Sequence, residues 1–228
     1  MEHPLDNPIW HGLTTGNQHL ALGNEQARYL PKAIGAFAGL REYSASAFAS
    51  LHEMTPAGAP TVLFTATEIA IPEDWKVLVQ KNLLQLVYQS PTPPTLDSTG
   101  IVALQPKDIP AMVALTAQTN PGPFLSRTIE FGEYHGIFET DELVAMAGER
   151  LQPTPYVELS AVCTHPAHLG QGYAARLLRH QMHRVLTTGR IPFLHVLPEN
   201  TRARSVYERL GFQTRRQLQL YVLEKLAR

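Results

Sequence analysis

Beyond residue 100 the spacing of apolar side chains switches between two residues and about 3.6, and each switch marks an element. A short apolar run predicts a strand over 101–104, and Asp108 can cap a helix that tolerates Pro110 in its first turn and carries Met112, Val113 and Leu115. After the break Asn120-Pro121-Gly122-Pro123 comes a shorter helical piece over 124–131. Residues 135–139 and 143–150 read as a hairpin turned at Thr140-Asp141-Glu142. A buried strand over 156–164 follows, then a helix over 173–187 with Ala174, Leu177, Leu178, Met182, Val185 and Leu186 at helical spacing, ended by Gly189. The chain continues with a strand over 193–197, a helix over 201–210 stopped by Gly211, and a last strand over 217–226. Strands interleaved with helices predict an α/β (α+β) sheet with helices on its faces.

The first ninety residues are less periodic. Strands are expected over 19–22, 61–65 and 77–88, with a helix near 45–51, and a loop at 55–60 divides this part. Residues 89–100 carry three prolines, which lack backbone donors, among small polar neighbours. This reads as a linker over 91–99 between a smaller α/β N-terminal domain (1–90) and a larger C-terminal one (100–228), the former a degenerate copy of the latter at most.

Apolar residues at 44% and charged ones at 17% fit a globular protein with an ample core in 228 residues. No apolar run approaches the ~20 residues of a membrane span. The single cysteine, Cys163, excludes an internal disulfide and suits a reducing compartment. Met1-Glu2-His3-Pro4 lacks the basic-then-apolar layout of a signal peptide, so a cytoplasmic protein is expected. From His165 onward there are eleven Lys/Arg and three Asp/Glu, against eight and seventeen before it. With a sequence pI near 6.8 and no interleaved aromatics, this basic quarter points to a small polyanion rather than to nucleic acid.

The turn Leu169-Gly170-Gln171-Gly172-Tyr173-Ala174 sits where such an anion would bind. It follows the 156–164 strand and opens the 173–187 helix, so free backbone amides and the positive end of the helix dipole meet there. Gly170 and Gly172 allow a tight bend and close approach of a ligand, and the small Ser160 and Ala161 leave room along the strand. Gly170 to Ala175 also satisfies G-x-G-x-x-A, but a dinucleotide-binding oxidoreductase needs that motif directly after a strand and early in a doubly wound domain. His180 and His183 share a helix without a third ligand in view; they read as surface residues, and no metal is expected.

The strand, the glycine turn and the later block Asn200, Ala203, Tyr207, Glu208, Leu210, Gly211 and Phe212 together resemble the GNAT superfamily of acyl-CoA-dependent N-acyltransferases over roughly residues 100–228. The resemblance implies a mixed, mostly antiparallel sheet flanked by helices. It also implies transfer of an acetyl group from acetyl-CoA to a primary amine of a small molecule or peptide, by direct attack in a ternary complex. Val162, Cys163, Thr164, Leu169, Gly170, Gln171, Gly172, Tyr173, Ala174 and Asn200 would bind the CoA, with the Val162 amide donating to the developing oxyanion. Tyr207 takes the general-acid position. Leu169 stands where the family carries Gln or Arg, and Arg176, Arg179, Arg202 and Arg204 are candidates to supply the missing charge.

A lysine-like amine with a pKa of ~10.4 must lose a proton before it attacks. Glu158, the one carboxylate in the 156–164 strand and at a position where the resemblance implies a base in some family members, is the expected base, with a pKa raised by burial, and Glu149 is the runner-up. An acyl-Cys163 route lacks a readable His/Asp partner. The acceptor pocket is expected mainly from 119–136, with the N-terminal domain as a further contributor left open, and Glu130, Glu133 and nearby Glu139 suit a cationic amine. Neither a nucleic-acid nor a membrane partner is expected, and monomer and homodimer stay open. The non-enzymatic alternative is a GNAT-like module that binds acyl-CoA without turnover.

Overall fold

The structure is a computed structural model that describes residues 3–226 apart from Ala57 and Pro91. The opening Met1-Glu2, Ala57 of the 55–60 loop and Pro91 of the expected linker thus lie outside the described residues. The elements in chain order are α1 (Pro8–Thr14), β1 (Leu22–Gly23), β2 (Ala27–Tyr29), β3 (Ala38–Leu40), α2 (Ala45–Met54), β4 (Pro60–Thr65), β5 (Trp75–Tyr88) and β6 (Ile101–Ala103). There follow α3 (Ile109–Thr119), β7 (Tyr134–Glu139), β8 (Glu142–Glu149), β9 (Tyr156–Thr164), α4 (Tyr173–Thr187), β10 (Ile191–Val196), α5 (Thr201–Arg209) and β11 (Phe212–Lys225).

Eight strands form one sheet in the order β4-β11-β5-β10-β9-β8-β7-β6, and β1-β2-β3 form a small second one. Within the large sheet β9 and β10 run parallel and the other neighbours antiparallel, the mixed, mostly antiparallel sheet expected. Helices cover both faces. Met146 and Cys163 pack with Met112 and Leu115 of α3, whereas Ala145 and Ala147, one residue away on β8, pack with Leu177 of α4. The apolar stripe that predicts α4 is the buried one: Leu177, Leu178 and Met182 are fully covered. Each such side chain contributes about 1.5–3 kcal/mol through burial. Among the described residues no helix is long and apolar enough to cross a membrane.

The N-terminal part departs most from expectation. Residues 18–20 form a 3-10 turn rather than a strand, and only the two-residue β1 follows it. β4 and β5 lie in the same sheet as the C-terminal strands, and β5 sits between β10 and β11. The expected division at 91–99 therefore falls within one sheet: this segment joins β5, in its interior, to β6, at its edge. The piece over 124–131 is helical only as a 3-10 turn at Thr128–Phe131, and the last strand starts at Phe212, five residues earlier than its apolar pattern suggests.

Candidate active site

β9 and β10 pair only through Ile191↔Tyr156, Pro192↔Val157 and Phe193↔Glu158. Beyond that point Leu194 to Val196 stay with β5, while β9 continues against β8. One edge of β9 from Leu159 to Thr164 therefore has no neighbouring strand, and its backbone groups are left for another partner. A bulge lies in this stretch. β8 advances two residues from Met146 to Gly148 while β9 covers three between Cys163 and Ser160, and Ala161 takes a positive φ of 52°.

A cleft of about 690 Å³ opens at the parted strands. Its walls bring together Val162, Cys163 and Thr164 of β9, Leu169, Gly170, Gly172, Tyr173 and Ala174 of the turn and α4, and Asn200 and Tyr207 of the later block. Of the residues expected to bind CoA, Gln171 alone does not line it. Gly170 and Gly172 have φ of 84° and 80°, and nothing stands within 4 Å of where a Cβ would be at either. No side chain caps α4, so its first amides face open space. Leu169, 47% exposed, presents an apolar side chain at the rim where the family's polar one would stand. The Asn200 side chain accepts from the Ala203 amide at 3.1 Å, capping α5.

The Tyr207 ring packs on Phe212 at 6.2 Å between centroids. Burial pushes its phenol up to about 12, and its hydroxyl finds no hydrogen-bond partner among the described residues. Burial likewise pushes the Cys163 thiol up to about 11, which makes it a poor nucleophile at neutral pH.

The raised pKa expected for Glu158 is not what the structure has. The side chain is fully buried and outside the cleft lining. Arg150 grips it from two sides, Nε to Oε2 at 2.9 Å and Nη2 to Oε1 at 2.5 Å, and His195 Nδ1 lies 2.7 Å from Oε1. Burial alone would push the carboxyl up, but Arg150 and then His195 outweigh it and hold the group at about 2. The chain of contacts runs on. Gln85 Nε2 donates to the Leu5 carbonyl at 2.9 Å and faces His195 Nε2 at 3.1 Å, so Nε2 accepts and Nδ1 donates to Glu158. Arg215 then joins Gln85 to Asp6.

The runner-up Glu149 also lies outside the cleft lining, accepting from Gln152 Nε2 at 3.2 Å with its carboxyl pushed up by burial. The acidic residues expected to face the acceptor, Glu130, Glu133 and Glu139, do not line the cleft. Glu130 pairs with Arg127, Glu133 with Arg184, and Glu139 accepts from the Tyr173 hydroxyl. No carboxylate lines the cleft among the described residues. His180 is no plain surface residue: its ring packs against His135 at 4.4 Å between centroids, tilted by 55°, and its Nδ1 lies 3.0 Å from Ser98 Oγ.

Of the candidate arginines, Arg179 and Arg202 line the cleft, whereas Arg176 turns to Asp97 and Arg204 to Glu208. Sequence reasoning missed Arg209, whose seven-residue spacing from Arg202 was the available signal, and the cleft-lining His168, whereas Thr119, Asn120 and Pro121 of the expected acceptor segment do line the cleft. The dinucleotide reading fails on architecture. A 3-10 turn at Pro166–His168 separates β9 from the glycines, and the sheet is not a doubly wound parallel one.

A model of the FR47-like protein family matches residues 134–222, from β7 into β11. A solved structure from Novosphingobium aromaticivorans, described as an acetyltransferase of the GNAT family, is 35% identical, covers 99% of this chain and 100% of its own, and superposes with a TM-score of 0.91. A GNAT-family acetyltransferase from Colwellia psychrerythraea shares the fold at 14% identity, with a TM-score of 0.54 over 98% of both chains. A Drosophila protein does so at 13% identity, with a TM-score of 0.62 over 88% of this chain and 73% of its own. No curated protein matches. The chain belongs to the GNAT family of acetyltransferases.

Proposed function

We propose that this protein moves an acetyl group from acetyl-CoA to a primary amine of a small molecule or peptide, by direct attack in a ternary complex and in a reducing cytoplasm. The observation that carries the reading is the single cleft joining the uncapped start of α4 to the unpaired edge of β9 beside Tyr207. The residues fit CoA. The open space before Gly170 and Gly172 admits a pyrophosphate, which the amides of residues 169–174 would hold. Val162 to Thr164 would hold the pantetheine arm along β9, with Asn200 at the edge. Bound there, acetyl-CoA supplies an acyl group activated as a thioester.

The Val162 amide, beside the Ala161 bulge, is the donor for a carbonyl oxygen in the cleft. Tyr207 keeps its proton at neutral pH and holds it on an unpartnered oxygen, ready for a departing sulfur. Glu158 is not given the base role. A carboxylate held at about 2 is a feeble acceptor for the proton of an amine near ~10.4, and every position around it is taken. The amine proton leaves instead to solvent at the mouth of the cleft, so acceptors of lower pKa are favoured.

Thermal unfolding with acetyl-CoA, followed by thiol release with a panel of amines, tests the reading. Ligand at about 100 times its Kd adds about 2.7 kcal/mol of stability. No thermal shift at millimolar acetyl-CoA would overturn the assignment. Cys163→Ala should retain transfer, and its loss would instead point to an acyl-cysteine. The lack of a carboxylate in the cleft lining among the described residues favours one second reading, a module that binds acyl-CoA without turnover. Binding with no thiol release from any amine would select it.

A further inference from the structure

The described arginines of the basic C-terminal quarter divide into two groups. Arg176, Arg184, Arg190, Arg204, Arg215 and Arg216 each reach a carboxylate, carbonyl or side-chain amide of the protein itself. Arg179, Arg202 and Arg209 have no such partner among the described residues, and all three line the cleft. α5 sorts its charges by face. Arg204 and Glu208 pair across one turn, away from the cleft lining, while Arg202 and Arg209, two turns apart, share the cleft face with Ser205 and Val206. α4 contributes Arg179 beside Ala175 and Leu178. Three arginines without a protein partner thus line one cleft, whose lining among the described residues carries no carboxylate.

That is more positive charge than a pyrophosphate at the start of α4 needs, because free amides and a helix-end charge of roughly +0.5 already face it. The surplus matches a further phosphate monoester, which brings a charge of about −1.5 to −2 at neutral pH. A guanidinium suits such a group because its fork donates two parallel hydrogen bonds to phosphate oxygens. We propose that Arg179, Arg202 and Arg209 form a subsite for the 3′-phosphate of CoA, and that through it the protein selects CoA over dephospho-CoA. The inference rests on the proposed use of acetyl-CoA and adds a selectivity that reading does not require.

The test is calorimetric titration of the full chain with CoA and with dephospho-CoA, at two salt concentrations. The wild-type protein should bind CoA at least about tenfold more tightly, one tenfold step being about 1.4 kcal/mol. That gap should narrow with salt, because exposed charges are screened. Arg202→Gln with Arg209→Gln, and Arg179→Gln separately, should weaken CoA binding while leaving dephospho-CoA binding within about twofold, a pattern that loss of one phosphate contact predicts. Arg204→Gln, which removes a partnered arginine of the same helix, should leave the gap intact. Equal wild-type affinities for the two ligands would overturn the proposal, as would a gap that survives in the variants. Binding of neither ligand would sink the acetyl-CoA assignment itself, an outcome distinct from the other two. Circular dichroism of each variant separates loss of contact from loss of fold, and an unfolded double variant leaves the single substitutions to decide.

Discussion

At the scale of single residues, Glu158 carries the sharpest consequences. Its carboxylate is held by Arg150, His195 and the Leu151 amide in a setting with no water-facing side. Breaking such a pair from one side leaves an uncompensated buried charge, which costs about 3–5 kcal/mol. Glu158→Gln should therefore lower the melting temperature by roughly 10 °C, on a scale of about 2–4 °C per kcal/mol for a chain of this size. The form of the pH–rate profile should stay unchanged, rising with pH towards the pKa of the acceptor amine itself. An inflection in the wild type that disappears in the folded variant would restore Glu158 as a base. Because its pKa is lowered by folding, Glu158 stabilises the protein fully above the ordinary carboxyl range near 4.5, and this is lost as pH falls towards 2. His135, lowered by burial to about 4, acts in the same direction at higher pH: its contribution is full above 6.5 and lost as pH falls through about 4. Urea melts of His135→Phe should show a flatter loss of stability between those two values than the wild type. Tyr207→Phe should lower kcat by about 100-fold or more through loss of the proton donor; full activity would mean another group protonates the sulfur.

At the scale of elements, function lies in two departures from regular structure. β9 parts from β10 after Glu158 and bulges at Ala161, and α4 starts on two glycines with positive φ and no cap. Gly172→Ala has room for its methyl group but not the backbone for it, and a left-handed non-glycine residue costs about 1–2 kcal/mol. Its expected outcome is weaker acetyl-CoA binding by titration, as the turn relaxes away from the φ that aims its amides. The turn was legible in the sequence because its glycines and the helix after it are adjacent in the chain. The bulge was not, since nothing in Ser160-Ala161-Val162 distinguishes a regular strand from one that gains a residue against its neighbour. The 124–131 segment misled for a related reason: Phe131 is buried against the N-terminal part, so its apolar spacing reflects tertiary contact rather than a helix.

At the scale of the whole molecule, the N-terminal residues act as part of the fold that carries the cleft. β5 separates β10 from β11, and Phe193 of β10 shares a core with Leu5, Ile9 and Leu13. A fragment over 95–228 loses an interior strand, leaving β10 and β11 with unpaired backbone groups and bared apolar faces. It should show no cooperative thermal transition, and a cooperative melt would restore the two-domain reading of the linker. The proline-rich stretch looked like a boundary because local composition describes the flexibility of a segment and carries no information on which strands pair across it.

The sequence alone determined what depends on neighbours along the chain: the helical stripe of α4, the glycine turn, the cap of α5 and the position of Tyr207. These rest on periodicity and on backbone freedom within a few residues. Only the tertiary structure decided which ionisable groups are free. Glu158, Glu133 and Glu139 look like available carboxylates until Arg150, Arg184 and Tyr173 meet them from other elements, and Arg209 looks like any solvated helix residue until the fold sets it on the wall of the cleft. A charge takes its chemistry from what stands beside it in space.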